Sequence, residues 1–321
     1  VLLLIGDPDD LTLTYVHWLA YERGHDVVVL PERSYGHEWW AIADHDRPGS
    51  ERLALVVDGR PLDLGAVTGA FVRMHPSPPL PDGLVLGRAA TDLYLQQRRS
   101  AVATVADRLP CTVVNRPRAG RSNGAKPLHM TELAAAGFDV PAWVASNDPA
   151  AVDPFLAAHC PDGAVVKAAS GLRSQVRLVD ETFRRRLADG TSPAVVQRYV
   201  RGHEVRVHVI GDATVGSRVD AATVDYRFDE QPVRYRTEPV PDDIARRCRD
   251  HAARHELLLA GLDFRVDADG RWWCLEMNPV PTFLPYEVAT GHPIGPAVVD
   301  LLTGRRPRTT GPSPLATGVA A

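Results

Sequence analysis

No two of the four cysteines, Cys111, Cys160, Cys248 and Cys274, form a CxxC pair. That spacing argues against a zinc site and against a disulfide framework, and it fits a reducing cytoplasm. No apolar run approaches the roughly 18 residues that a membrane span needs. The opening VLLLIG is too short for a signal peptide and lacks a basic flank. It reads as the first buried strand of a parallel sheet. There is no excess of positive charge: the formal net charge is −4, which gives no reason to expect a nucleic-acid partner. The loop IGDPDD after the first strand lacks G-x-G-x-x-G, so it is not a dinucleotide fingerprint. Neither a G-x-S-x-G elbow nor a paired Cys–His motif is present, and no repeat is visible. Scarcest of all is lysine. Lys126 and Lys167 stand alone against 34 arginines.

What remains is a chain of 321 residues, 45% hydrophobic and 24% charged. This is the composition of a soluble enzyme long enough for two or three packed units. The first hundred residues alternate strand and helix signals. VLLLIG is followed by a helix over Leu11 to Arg23, a stop at Gly24, and a strand over Val27 to Leu30. The rhythm predicts a small doubly wound sheet. HPSPPLPDG, His75 to Gly83, reads as a loop, and Leu86 to Leu109 as a helix. A second region begins near Thr112 with TVVNRP, then the helical KPLHMTELAAAGF, then strands in FDVPAWVAS and GAVVKAAS. A third, from about Ala194, holds two hairpins and a helix running from an N-cap at Asp242 to about Ala260, with Gly261 after it. The tail from Gly304 is poor in apolar residues and reads as disordered.

The stretch richest in chemical information is LDFRVDADGRWWCLEMNP, Leu262 to Pro279. Asp269-Gly270 is a strong hairpin-turn signal. Counting outward from it pairs Ala268 with Arg271, Val266 with Trp273 and Asp263 with Glu276. Strand side chains alternate between faces. Phe264, Val266, Trp273, Leu275 and Met277 then share an apolar face, and Asp263, Glu276 and Asn278 share the other. Opposed carboxylates repel at a Cβ separation of roughly 5 Å. An all-oxygen set of Asp, Glu and Asn suits Mg²⁺. The competing reading is a solvated acidic face.

In so arginine-biased a chain a retained lysine stands out, because arginine's planar fork does not replace a compact ammonium in a tight phosphate site. Chance survival on the surface is the alternative. Against it, GAVVKAAS places Lys167 at the end of an apolar strand, where a charge calls for an anionic partner. The strand AVVQRYV follows, and then RGHEVRVHVIGD, whose Val205, Val207 and Val209 alternate with Arg206 and His208. Gln197 and Glu204 bracket the connection. On its own this is a plausible strand pair.

In their order, these pieces resemble the ATP-grasp superfamily: lysine, lysine, Q-x-Y-V, glutamate, then D…E-x-N. The matching runs from about Asn115 to Leu302 include SNGAKPLHMTELAAAGFDVPAW, VVQRYVRGHEVRVHVIGD, VDYR and TGHPIGPAVVDLL. Within the superfamily the chain is most similar to the RimK-type group, and there to the graspetide (microviridin-type) ligases that modify ribosomal peptides. VDYR is similar to the DWR element of that branch. The resemblance implies an α/β fold of α+β ATP-grasp type. Its parts would be a doubly wound pre-ATP-grasp domain over 1–113, a central lid subdomain over 114–193, a C-terminal subdomain with the metal site over 194–304, and a disordered tail over 305–321.

The same resemblance implies roles. Lys126 and Lys167 would contact the α- and β-phosphates of ATP. Ser170, Gly171 and Ser174 would do part of the phosphate cradling, since the loop AASGLRSQ is short and poor in glycine. Gln197, Tyr199 and Val200 would form the adenine hinge, and Glu204 would hold the ribose. Asp263, Glu276 and Asn278 would hold Mg²⁺, normally two ions. Arg206, Arg218 and Arg227 are candidates for the γ-phosphate and the acyl phosphate. Counting from a Gly211-Asp212 turn pairs Arg218 with Val205, on the face opposite Arg206, unless a bulge intervenes. FVRMHP resembles a strand end of the N-terminal domain in this group, so Arg73 and His75 would touch substrate; otherwise they are ordinary loop residues.

The implied activity is an ADP-forming ligase that activates a carboxylate as an acyl phosphate and joins it to an amine or hydroxyl. Three substrate readings stand. One is a crosslinker of a ribosomally made peptide, one a ligase for free amino acids or short peptides, and one an inactive nucleotide-binding module that recognises a peptide. Homodimerisation is an expectation from resemblance alone. Membrane and nucleic-acid partners are not expected.

Overall fold

The computed structural model describes residues 1–31, 39–41, 54–57, 59–74, 80, 84–170, 175–190, 192–221 and 233–315. The apolar opening forms β1 (Leu2–Gly6), buried along its whole length. Asp10 then caps α1 (Leu11–Glu22) by accepting from the backbone N–H groups of Thr12 and Leu13, as a short carboxylate before a helix should. β2 (Val27–Pro31) follows. β3 (Trp39–Ala41), β4 (Ala54–Val57) and β5 (Arg60–Leu62) make a small antiparallel sheet. β6 (Gly69–Arg73), α2 (Arg88–Arg108) and β7 (Thr112–Val114) complete the unit. Its parallel sheet has the order β2-β1-β6-β7. The strand at Thr112, expected to open a second region, is therefore the last strand of the first sheet.

A central antiparallel sheet comes next. Its elements are α3 (Lys126–Ala135), β8 (Trp143–Ser146), α4 (Pro149–His159), β9 (Ala164–Ala168), β10 (Arg177–Leu178), α5 (Glu181–Ala188) and β11 (Ala194–Arg198). The strand order is β10-β9-β11-β8. Hydrogen bonding on both sides, to β8 and to β9, places β11 in this sheet and not in the region expected to start at Ala194.

The third sheet is five-stranded and antiparallel, β14-β13-β12-β15-β16. It is built from β12 (His203–Ile210), β13 (Ala213–Asp220), β14 (Arg234–Thr237), α6 (Asp242–Arg254), β15 (Leu259–Val266), β16 (Trp272–Asn278), α7 (Leu284–Thr290) and α8 (Ile294–Leu302). Val205, Val207, Val209, Leu262, Phe264 and Met277 form its core face, packed with Leu133, Phe138, Ile244 and Cys248. The helix expected to reach Ala260 ends at Arg254. Glu256 adopts a left-handed φ of 56°, and the N–H groups of Glu256 and Leu257 close the last turn on Ala253 and Ala252. Gly261 is thus no helix cap. It lies inside β15.

A second correction concerns the chain end. Residues 305–315 are not disordered. Ser313 is fully buried, and its hydroxyl donates to Glu287 Oε1 at 2.6 Å. The same oxygen accepts from the Tyr15 hydroxyl at 2.8 Å, while Oε2 accepts from the Gly295 N–H at 2.7 Å. One carboxylate therefore joins α1, α7, α8 and the tail inside the apolar cluster of Leu13, Val16, Phe283 and Val298. Low hydropathy misled the expectation, because polar contacts to Asp212, Gly291, Asp300 and Glu287 dock this segment, with Leu315 packed on the core. Burial raises the Glu287 carboxyl above its ordinary range, opposed by the donors from Ser313, Gly295 and Tyr15. Replacing Glu287 by Ala orphans three buried donors, and it should cost about 2–4 kcal/mol in reversible unfolding. Glu287→Gln, which keeps a carbonyl acceptor, should cost less than half of that.

Candidate active site

The register of the third sheet assembles the charged side chains in rows. Arg206 on β12 pairs with Asp263 on β15, and Asp263 pairs with Glu276 on β16. The same row continues outward to Ser217 on β13. The flanking row on one side is His208, Gly261 and Asn278; on the other it is Glu204, Arg265 and Trp273. Residues directly opposite in a sheet point to one face, so the carboxylates, the amide and Arg206 share the face turned away from the valine core. Gly261 makes room for them: a Cβ there would lie 2.5 Å from Arg206 Nη1 and 2.8 Å from Pro281 Cβ.

The hairpin reaches this register by a different route from the one expected. Its turn is one residue longer, with Asp267 N–H bonded to Arg271 O and Gly270 N–H to Asp267 O. Val266 therefore faces Trp272, and Phe264 faces Cys274. A bulge at Leu275 then restores the pairing of Asp263 with Glu276. As a result Trp273 stands on the charged face, where Arg198 and Arg271 stack on its ring. Cys274 takes the core position instead.

Both lysines converge on these carboxylates. Lys126 opens α3, and its Nζ lies 3.1 Å from Glu276 Oε2. Its backbone N–H donates to Ala169 O, and Ala125 bridges Ser170, which draws the start of α3 against the end of β9. Lys167 on β9 is 8% exposed and donates from Nζ to Gln197 Oε1 at 3.0 Å. Gln197 Nε2 in turn donates to Met130 Sδ at 3.5 Å. On the other flank Arg206 Nε sits 2.9 Å from Asp263 Oδ1.

The electrostatics follow from this crowding. Desolvation pushes Glu276 toward its neutral form, but the ammonium groups of Lys126 and Lys167 outweigh it and hold the carboxyl below its ordinary range. Burial lowers the Lys167 ammonium to about 8, against the opposing pull of Glu276. Burial also lowers His129 to about 4, so this imidazole is neutral near pH 7. Among the described residues no group of three or more His, Cys, Asp or Glu side chains is placed to hold a metal. The oxygen set here is two carboxylates and one amide. The amide, Asn278 Oδ1, accepts from the Val280 N–H at 2.9 Å.

Several expectations change. Arg218 pairs with Val205 and Arg236, so it faces away from Arg206. Its Nε is held by Asp220 at 2.9 Å, and Asp220 also binds Arg236. Arg73 ends β6. Its guanidinium is 7% exposed and engaged by Asp10 and by Pro281 O, the latter at 2.7 Å. The Tyr199 N–H is bonded to Gly163 O. Val200 is buried beside it. Glu204 lies 3.6 Å from Arg265 across the strands. His75, Gly171, Ser174 and Arg227 lie outside the described residues.

Four residues at the site had escaped notice. Arg265 and Ser217 follow from strand alternation once Asp263 and Arg206 are chosen. His129 lies three residues after Lys126, on the same helical face. Asn115 carries no local signal. Its amide donates to Leu259 O and Pro279 O and accepts from the N–H groups of Leu258 and Leu259.

No family model matches the chain, and no curated protein matches it either. Solved structures do. The ATP-grasp ligase PsnB, complexed with a minimal precursor, Mg and ADP, is 24% identical with a TM-score of 0.74, covering 94% of this chain and 96% of that one. The macrocyclase MdnC from Microcystis aeruginosa MRC, bound with precursor peptide MdnA, is 18% identical with a TM-score of 0.78, covering 95% and 99%. A RiPP-associated ATP-grasp ligase of Chryseobacterium gregarium, in complex with ADP and a leader and core peptide, is 17% identical with a TM-score of 0.78, covering 97% and 99%. Over nearly its whole length, then, the chain has the fold of the ATP-grasp ligases.

Proposed function

We propose that the protein is an ATP-dependent ligase that activates a carboxylate and joins it to an amine or hydroxyl of a ribosomally made peptide. The observation that carries this reading is the row Arg206–Asp263–Glu276 with Lys126 and Lys167 closing on it. Three cations and two carboxylates meet on one sheet face. That face lies opposite a second sheet, in a fold shared with ligases whose structures hold ADP, Mg and precursor peptides.

The residues fit Mg²⁺. Asp263, Glu276 and Asn278 present hard oxygens, and both carboxylates already rest against cations. When bound, the ion would offset charge on the phosphoryl oxygens in transfer. Lys126 and Lys167 would meet the α- and β-phosphates, and Ser170 would share in cradling them. Glu204 would accept from the ribose hydroxyls, and Gln197, Tyr199 and Val200 would border the adenine. Arg206, with Arg227, would steady the γ-phosphate. A carboxylate oxygen of the substrate bonds to the γ-phosphorus and ADP leaves, giving an acyl phosphate. The amine or hydroxyl then attacks the acyl carbon, loses its proton, and inorganic phosphate departs. No enzyme nucleophile is needed. The chain's work is positioning, charge neutralisation and exclusion of water by the central sheet.

Three measurements test this. Glu276→Gln removes one oxygen ligand and should lower ligation at least ~100-fold while the melting curve stays near that of the wild type; full turnover would remove Glu276 from the metal set. Burial lowers the Lys167 ammonium to about 8 in the free protein. Phosphate binding needs the charged form, so ADP affinity is fully present below pH 8. It should weaken by up to about tenfold per pH unit above that, with proton uptake on binding. Calorimetry from neutral to alkaline pH reads it, and Lys167→Ala should bind weakly with a flat profile. Finally, mass spectrometry of a Thr-, Ser-, Asp- and Glu-rich precursor peptide incubated with ATP should show loss of one water per bond. A gain equal to an added amino acid would favour the free-amino-acid reading instead.

A further inference from the structure

α3 meets the site with one face. Lys126, His129 and Met130 stand at i, i+3 and i+4. Lys126 reaches the Glu276 carboxylate, and Met130 reaches Lys167 through Gln197. Between them His129 is 1% exposed, and its Nε2 accepts a hydrogen bond from the backbone N–H of Met277 at 2.8 Å. Met277 is the residue between Glu276 and Asn278. β16 is the outer strand of its sheet, so half of its N–H groups have no strand to donate to. The Met277 side chain is buried in the core, which keeps water from this amide. The imidazole lone pair is its acceptor.

We infer that His129 is a positioning residue: by holding the Met277 peptide it fixes the directions in which Glu276 and Asn278 present their oxygens. The inference rests on the reading of those two side chains as Mg²⁺ holders. The bonded N–H belongs to the peptide unit that joins Glu276 to Met277, and one further unit joins Met277 to Asn278, so holding it constrains the strand on both sides. Lys126 cannot supply this control, because it touches only the end of one carboxylate. The same helix carries the Met130–Gln197–Lys167 chain. The lysine of one sheet and the carboxylates of the other are thus set by a common support.

The test uses Mn²⁺ as probe, with ADP, and reads metal binding by electron paramagnetic resonance beside calorimetry of ADP without metal. His129→Gln can place its amide oxygen where Nε2 stood. His129→Asn is too short to do so, and His129→Leu has no acceptor. The Asn and Leu variants should weaken Mn²⁺ binding about tenfold or more, the Gln variant by no more than about threefold, with metal-free ADP affinity unchanged within about twofold. Asn and Leu variants that bind Mn²⁺ like the wild type overturn the inference, as does a Gln variant impaired as much as they are. Wild-type protein that binds no Mn²⁺ overturns the underlying metal reading as well, which separates the two failures. The wild type also gives a test without substitution. Its imidazole nitrogen spectrum should show Nε2 free of a proton and coupled to the Met277 amide, and a protonated Nε2 overturns the inference.

Discussion

Asp263 and Glu276 face each other across two hydrogen-bonded strands, their side chains only partly exposed. Two anions so placed cannot both stay ionised without cations close by, and much of the surrounding structure answers that need. Arg206 arrives from the neighbouring strand in the same row, and Lys126 arrives from a helix start in another part of the chain. Gly261 gives up its side chain so that Arg206 can lie flat beside Asp263. The valine face of β12 then orients all of this, because one residue of slip would exchange Arg206 for a valine.

The same constraint explains how well the site could be read in advance. The pairing of Asp263 with Glu276 was legible from the turn signal and strand alternation, yet for a partly wrong reason. The turn is one residue longer than an Asp-Gly hairpin suggests, and the bulge at Leu275 removes the offset. Local sequence favoured neither. The burial of Phe264 and Met277 on one side and the charged pair on the other selected the combination. Where no such two-sided demand acts, local signals failed. HELLLAG continues a helical pattern past Arg254, but Leu259 to Val266 is needed as the strand between β12 and β16, and tertiary pairing overrides propensity. The tail was misread because a composition rule cannot see one buried serine bonded to one buried glutamate. Arg218 was placed correctly by counting, on the face opposite Arg206.

Long-range clamps were the least legible of all. Asn115 uses its amide as a piece of strand, giving and taking hydrogen bonds with Leu258, Leu259 and Pro279 at the base of the hairpin. Arg73, from the end of β6, holds the carbonyl of Pro281 just beyond Asn278. Each partner lies more than a hundred residues away in sequence. Together with His129 they grip the two ends of the stretch that carries the oxygen ligands. A site that must hold charges to within a fraction of an ångström needs support of this kind.

Charge compensation at the cleft is uneven, and that unevenness argues for the ligand. Lys126 and Arg206 each have a carboxylate. Lys167 has none to itself: among the described residues its ammonium donates to Gln197, a neutral amide, while burial works against its charge. Its anion, Glu276, is shared with Lys126, and a buried cation so thinly compensated is costly to maintain. A phosphate would complete the set. On the proposed function, polyphosphate and metal enter together. The phosphate oxygens would then be partners for the three cations, and Asp263 and Glu276 would hold the metal. At Lys167, which otherwise shares Glu276 with Lys126, the ligand would supply a partner in direct contact.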